Sequence, residues 1–480
     1  MEKKSFYITT TLPYVNSDPH VGFAMELIRA DIIARYKKLT DHEVFFNTGT
    51  DEHGQKLLAD AKKAGREVKE YVDEYAEKFR GLKGLLGISE DVHFVRTTDT
   101  HHEQAAQEFW RRVEKNGYIY KKQYQVKYCV GCELEKTDSE LDDNGRCPIH
   151  PNKEIELIDE ENYFFKFSAF QKPLLEFYEN NPDFVVPDFR FNEIKAFVAR
   201  GLQDFSISRL KSKMSWGVEV PGDPEQVMYV WFDALVNYIS TIGWPEDTVS
   251  FEKFWANGTP VQYCGKDNLR QQSAMWQAML MAAGLPNSKH IVIDGFINSG
   301  GQKMSKSLGN VINPYDIVAE YGTDALRYYV ARELSAFEDS DMTMEKFKEA
   351  YNAGLANGLG NLASRILALS EKHLDSCPSI PEQSIPQPFF DLLEKFEIQK
   401  AVDYIWNEIQ MLDKKIQETE PFKVVKVDAE KGRTIISELV VQLYTIARML
   451  NPIMPETNAT LKKLIKENKK PATPLFARKD

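Results

Sequence analysis

The chain has 480 residues, 60 basic and 72 acidic, with a formal charge of −12 and a mean hydropathy of −0.44. That length gives room for several domains, and the composition excludes a disordered or low-complexity protein. The acidic balance excludes non-specific coating of nucleic acid, although a local basic surface still suits one RNA.

No apolar core of a secretion signal follows Met1. Phe6 to Leu12 reads as a strand and Pro13 to Pro19 as a loop. His20 opens a helix whose apolar face runs Val21, Ala24, Leu27, Ile28, Ile32, Ile33 and Tyr36 at helical spacing. A second strand, Val44 to Phe46, leads into Thr50-Asp51-Glu52-His53-Gly54. Strand, helix and strand in this order predict a parallel sheet, with ligands beyond the carboxyl ends of its strands. His20 and Asp51 both fall at such ends, so one site for both is expected.

About a hundred residues of different character follow, rich in charge. Within them Cys129-Val130-Gly131-Cys132 and Cys147-Pro148-Ile149-His150 lie fourteen residues apart. Two such turns offer four soft ligands for a tetrahedral zinc, and four protein ligands leave no open position, so a structural ion is expected. With five cysteines in all, an odd number, this is a reducing-compartment pattern rather than a disulfide scaffold.

The strand–helix–strand unit then recurs: Val261 to Cys264, Leu269 to Ala283, and His290 to Ile293. The apolar run around Ala274 to Leu285 is too short and interrupted to span a bilayer. The last strand feeds Gly300-Gly301-Gln302-Lys303-Met304-Ser305-Lys306-Ser307-Leu308-Gly309. Alone, that loop reads either as a solvated turn or as a polyanion-binding loop. Asn313-Pro314 is a helix start and Gly322-Thr323 a stop followed by a new cap. Long helical segments cover about 344–373, 396–418 and 432–451. The basic tail from Lys462 reads as a solvated helix end or as an RNA contact. A soluble, cytoplasmic protein that makes no membrane contact is expected.

Pro19-His20-Val21-Gly22 and Lys303-Met304-Ser305-Lys306-Ser307 resemble the two signatures of class I aminoacyl-tRNA synthetases. The likeness narrows to the methionyl-specific family through Thr11 to Asn16, Thr50 to Gly54, Gly201 to Asp204, Val230 to Ala234, Asn361 to Arg365 and the single knuckle. It implies an α/β fold, a doubly wound, Rossmann-type catalytic domain split by a zinc-knuckle insertion and followed by an all-α helical bundle. The expected boundaries are 1–114 and 226–310 for the catalytic halves, 115–225 for the insertion, 311–345 for a connecting region and 346–480 for an anticodon-binding domain. The implied reaction is ATP-dependent ligation of methionine to its tRNA through an adenylate, with magnesium accompanying the ATP.

The resemblance also implies roles. His20, Lys303 and Lys306 would be catalytic, and Gly22, Glu26, Gly265, Asp267 and Ser305 would join them in binding ATP. Asp51 would take the substrate ammonium, while Leu12, Tyr14, Trp231, Ala234, Leu235, Tyr238 and Gln272 would enclose the side chain. Asn361, Arg365 and Phe422 would read the anticodon, and Cys129, Cys132, Cys147 and His150 would hold the zinc. Three departures stand out: Phe23 replaces the second signature histidine, Gln272 a pocket histidine, and Phe422 a stacking tryptophan. The alternatives are a synthetase for another amino acid such as cysteine, or a non-catalytic RNA-binding relative. A monomer is expected, because the chain is too short for the extra C-terminal domain through which some members of the family dimerise.

Overall fold

The computed structural model describes residues 3–132, 134–136, 140–304, 309–382 and 385–480. They form two compact units. Unit one comprises Met1–Asp18, Glu43–Gly81 and Asp91–Ile293; unit two comprises Pro19–His42, Leu82–Glu90 and Asp294–Asp480.

The main sheet contains β1 (Ser5–Thr9), β2 (Glu43–Thr50), β3 (His93–Arg96), β4 (Val185–Val186), β5 (Thr259–Gly265) and β6 (His290–Asp294). Their order is β3-β2-β1-β5-β6-β4. β1 pairs in parallel with both β2 and β5, setting Ile8 opposite Phe46 and Val261. Parallel strands covered on both faces read as continuous apolar runs, and Phe6, Tyr7, Ile8, Ile291, Val292 and Ile293 are all buried. The chain leaves β1 toward β2 on one side and returns to β5 on the other, so a topological switch point lies between β1 and β5.

The charged stretch between the halves folds as a long antiparallel hairpin, Ile119–Cys129 with Glu156–Phe165. Cys129 ends its first strand, which places the cysteine turns at the tip. A smaller sheet, ordered Glu219–Val220, Asp223–Met228, Ser208–Leu210, leads back toward the second half.

In unit two, the helix Val21–Leu39 buries every residue of the expected apolar face. It also buries charge. Arg29 donates to Asp294 at 3.0 Å, and Asp31 accepts from Arg327 at 2.8 Å and from Arg35 at 2.7 Å. Ser89 completes the Asp31 carboxylate through its backbone N–H and its hydroxyl, at 2.9 and 2.7 Å. Buried ions are tolerated only when paired in this way.

Asn313 caps the helix Pro314–Tyr321 by accepting from the Tyr315 N–H, as the sequence predicts; a new helix opens at Thr323, but Gly322 and not the expected Thr323 is its cap, the Thr323 hydroxyl donating to the Leu85 carbonyl instead. The expected helix over 344–373 is instead three pieces: α over Met344–Ala350, a wide π turn over Tyr351–Gly360, and α over Asn361–His373. Within the wide turn, Trp406 Nε1 donates to the Gly354 carbonyl at 3.3 Å. The chain's end folds back on the same turn rather than ending in solvent. Asn352 exchanges hydrogen bonds with the Lys479 backbone at 2.7 and 2.9 Å, and Tyr351 donates to the Ala477 carbonyl at 3.0 Å. Among the described residues, no helix is long and apolar enough to cross a membrane.

Candidate active site and metal cluster

In unit one, the ends of β1, β2 and β5 bring several expected site residues to the switch point. Beyond β1, Leu12 is buried and Tyr14 half-buried. Tyr14 pairs with Asp51 as an isolated parallel bridge, and the Asp51 N–H donates to the Pro13 carbonyl at 3.0 Å. Asp51 is thus held by its own backbone and stays half-exposed.

Its neighbour Glu52 is fully buried and saturated. It accepts both arms of Arg96 at 2.7 Å and the hydroxyls of Thr50 and Thr98 at 2.6 Å. His53 turns the other way and meets Asp233 at 2.9 Å. Trp216 closes the group, its Nε1 donating to the Glu52 carbonyl at 2.6 Å. The chain after β2 therefore has little freedom, and Asp51 is presented on a rigid support.

Trp231 and Ala234 lie on the short helix Val230–Ala234, with Asp233 between them. Leu235 and Tyr238 follow, both buried. Tyr238 is pinned through its carbonyl, which accepts from Tyr7 at 2.7 Å, and its hydroxyl accepts from Gln272 Nε2 at 2.5 Å. Gly265 ends β5, while Asp267 is exposed in the turn that follows.

In unit two, His20 is the cap residue of Val21–Leu39. Its Nδ1 accepts from the Gly22 N–H at 3.0 Å, so a neutral ring carries its hydrogen on Nε2. Burial pushes the imidazole down to about 4, which keeps it neutral near pH 7. A Cβ at Gly22 would lie 2.8 Å from His20 Cε1, so only glycine lets this ring fold over the helix start. Phe23 stacks on the same ring with centroids 4.3 Å apart. The residue that departs from the signature thus supports His20 in place of offering a second donor. Glu26 is half-buried one turn on.

The loop after β6 forms a hairpin of Ile297–Ser299 with Gln302–Lys303, and Ile297–Ser299 also pairs with Ser340–Asp341. Asp341 accepts from the Gly301 N–H at 2.7 Å. The Lys303 side chain is exposed, with its ammonium over the Phe296 ring at 5.4 Å. Ser305 and Lys306 lie outside the described residues. In the helical region, Asn361 is exposed and Arg365 donates to Asp413 at 2.5 Å. Phe422, on the helix Pro421–Val427, is 42% exposed.

The cysteine cluster assembles as the spacing requires. Ligand atoms of Cys129, Cys132, Cys147 and His150 lie within 4.8 Å of one another. Cys132 Sγ is 3.4 Å from Cys147 Sγ and 3.2 Å from His150 Nδ1. A zinc–sulfur bond of about 2.3 Å implies tetrahedral edges of roughly 3.7 Å, so three thiols and one ring nitrogen here fit that ion. Gly131 is required by close approach, since a Cβ there would meet the His150 ring at 2.4 Å.

Two features escaped the sequence reading: the buried His53–Asp233 pair, and the bonding of Gln272 to Gln262, Gln277 and Tyr238. Both belong to motifs the sequence displays, but their partners lie at separations no local pattern reveals.

Comparison with known proteins places this geometry. The family model described as "tRNA synthetases class I (M)" matches residues 6–156 and 143–367. The methionine–tRNA ligase of Thermotoga maritima is 40% identical over 97% of this chain and 76% of its own. That of a Nostoc species is 39% identical over 96% and 89%. The structure of Mycobacterium tuberculosis methionyl-tRNA synthetase in complex with methionyl-adenylate superposes with a TM-score of 0.92 at 33% identity. The match covers 99% of this chain and all of that one. A match of this extent, over the catalytic strands, the knuckle and the helical region alike, leaves one conclusion: the chain belongs to the class I tRNA synthetases, and within them to the methionine–tRNA ligase family.

Proposed function

We infer that the chain carries out its family's reaction, the ATP-dependent ligation of methionine to tRNA. A methionine carboxylate oxygen attacks the α-phosphate of ATP, pyrophosphate leaves, and methionyl-adenylate forms. A terminal ribose hydroxyl of the tRNA, the 2′-hydroxyl by class, then attacks the adenylate carbonyl and expels AMP. No covalent enzyme intermediate is needed, so the protein's work is positioning and charge stabilisation.

The observation that carries this reading is the convergence of Tyr14, Asp51 and Gly265 at the carboxyl ends of three neighbouring strands around the switch point. There, Asp51 would hold the substrate ammonium by a charge-assisted bond. Leu12, Tyr14, Trp231, Ala234, Leu235, Tyr238 and Gln272 would surround the thioether, whose sulfur gains from aromatic contact. Gly265 and Asp267, with Glu26, would hold the ribose. His20, neutral and with Nε2–H available, would donate to phosphate, and Gly22 would admit the nucleotide. Lys303, Ser305 and Lys306 would neutralise the departing pyrophosphate. Magnesium bound to ATP supplies further neutralisation of the phosphate charge.

Asn361, Arg365 and Phe422 would contact the anticodon, the exposed ring of Phe422 serving as a stacking platform. Cys129, Cys132, Cys147 and His150 would hold a structural zinc. Because these four complete a tetrahedron among themselves, no position is left for a substrate thiolate, which favours methionine over the cysteine alternative. The catalytic halves are assigned to 1–114 and 226–310, around an insertion at 115–225, with the connecting region at 311–345 and the anticodon-binding domain at 346–480. A cytoplasmic monomer is proposed.

Pyrophosphate exchange with each of the twenty amino acids tests the assignment. Exchange with methionine alone is expected, whereas exchange with another amino acid, or none, overturns it. Lys306→Ala should slow adenylate formation while methionine binding stays near normal. Unchanged turnover would remove Lys306 from its role.

A further inference from the structure

The two peptide units that flank Asp51 have all four of their polar groups bonded. Toward the loop after β1, the Asp51 N–H donates to the Pro13 carbonyl at 3.0 Å, and the Asp51 carbonyl accepts from the Val15 N–H at 3.2 Å. The other two groups both meet Thr97, a fully buried residue one position beyond β3. The Thr50 carbonyl accepts from the Thr97 N–H at 3.2 Å, and the Glu52 N–H donates to Thr97 Oγ1 at 2.9 Å. Thr97 thus reaches the peptide before Asp51 through its backbone and the peptide after it through its hydroxyl.

The segment that carries Thr97 is itself fixed. β2 and β3 pair in parallel with Thr50 opposite Arg96, and they pass so closely that a Cβ at Gly49 would overlap the Val95 carbonyl oxygen. Arg96 and Thr98, on either side of Thr97, hold the Glu52 carboxylate, and Arg96 also donates to Asp73 on the helix Val68–Leu85. Asp99 closes the turn: its carboxylate accepts from the Arg96 N–H at 2.9 Å, and its own N–H donates to the Arg96 carbonyl at 3.0 Å. Buried peptide groups must be paired, so the Thr97 hydroxyl is an obligatory acceptor here.

We propose that Thr97 is a positioning residue for substrate recognition: it sets the direction in which Asp51 presents its carboxylate to the substrate ammonium, and Arg96 and Thr98 support it through Glu52. The proposal rests on the reading that Asp51 binds that ammonium. A charge-assisted bond loses much of its worth when its geometry slips, and a slip of the Glu52 peptide turns the Asp51 side chain directly. Acting only through Asp51, Thr97 affects ligands that carry an ammonium and spares those that lack one.

The test is competitive inhibition of methionine-dependent pyrophosphate exchange, in the full chain, by two alcohols. Methioninol carries the ammonium, and 4-(methylthio)butan-1-ol is the same molecule without it. The ratio of the second inhibition constant to the first reads the ammonium bond alone. Thr97→Val keeps the shape of the side chain but removes the acceptor for the Glu52 N–H, and should lower this ratio about five- to ten-fold, the worth of one hydrogen bond. Thr97→Ser keeps the hydroxyl and should restore the ratio. Arg96→Lys replaces the two-pronged grip on Glu52 by a point charge and should also lower it. An unchanged ratio in folded Thr97→Val protein, or an equal fall in Thr97→Ser, overturns the proposal. If Thr97→Val does not fold, an unchanged ratio in Arg96→Lys overturns it instead. A wild-type ratio near one, or failure of the wild-type chain to exchange with methionine, is a different result: it overturns the reading of Asp51, or of the function, on which the proposal rests.

Discussion

His53 Nδ1 lies 2.9 Å from Asp233 Oδ2, and both side chains are sealed from solvent. His53 follows Asp51 by two residues, and Asp233 separates Trp231 from Ala234, so one buried bond ties the candidate ammonium-binding turn to the candidate side-chain pocket. Burial opposes a charge on the imidazole. Asp233, with smaller help from Glu103 and Asp51, outweighs it and pushes His53 up to about 10.

Breaking this pair leaves a buried charge alone, so His53→Gln or Asp233→Asn should each cost about 3–5 kcal/mol in denaturant unfolding. The double variant should lose less than the sum, since each single change already removes the shared bond. The pH dependence has a definite sign. With the folded value raised above 6.5, the stabilisation is complete below that pH and is lost as pH rises through about 10. The melting temperature of the wild type should therefore fall more steeply over that alkaline range than that of His53→Gln.

Gly22→Ala should displace the His20 ring, because the new Cβ would lie 2.8 Å from Cε1. Misplacing a catalytic donor by about 1 Å costs up to about 100-fold. Stopped-flow measurement of adenylate formation should show such a loss in kcat/KM for ATP, with KM for methionine little changed. Because burial pushes His20 down to about 4 and keeps its ring neutral, the wild-type rate should show no histidine-type inflection between about pH 5 and 8 from this residue.

Zinc should be recovered at one equivalent per chain by elemental analysis, and Cys132→Ser should lower that content. The tip of the hairpin has few apolar residues to hold it without the ion. Chelation should then expose residues 120–160 to limited proteolysis while pyrophosphate exchange persists. Resistance to protease in the metal-free protein would count against a structural ion.

Phe422→Ala should weaken tRNA charging by the worth of one stacked base, about 1–3 kcal/mol. Pyrophosphate exchange without tRNA should be unaffected, because the ring lies on the all-helical part of the chain. Parallel losses in both assays would place Phe422 in the fold rather than at an RNA surface.

The elements that could be read from sequence are those built by near neighbours. The apolar face from Val21 to Tyr36, the Asn313–Pro314 cap and the two cysteine turns follow from spacing within a turn or two, and all three form as expected. Arg29 and Asp31 sit on that same helix; Arg35 is a near partner of Asp31, but the ion pairs that bury the two side chains reach Asp294 and Arg327, which no local pattern announces. The wide turn at Tyr351–Gly360 reads as ordinary helix for a similar reason: Trp406, which takes the Gly354 carbonyl, lies far along the chain. Of the candidate site, residue types were legible and pairings were not. Gln272 reads in the sequence as a pocket residue, and only the structure shows it bonded to Gln262 and Tyr238.

The pairing of Asp31 with Arg327 also bears on how the chain is made. The two are about 300 residues apart, and at about 5–20 residues per second a ribosome separates their emergence by about 15–60 s. Through that interval Asp31 has only Arg35, on its own helix, and Ser89 to compensate its charge. Arg327 also donates to the carbonyls of Leu86, Pro452 and Ile453, so it is completed only when segments from both ends of the sequence are present. Unit two should therefore resist vectorial folding and close late, in a single cooperative event. A fragment beginning at Asn313 keeps Arg327 but lacks Asp31 and Leu86, and should remain a loosely ordered chain until residues 19–42 and 82–90 are supplied in trans.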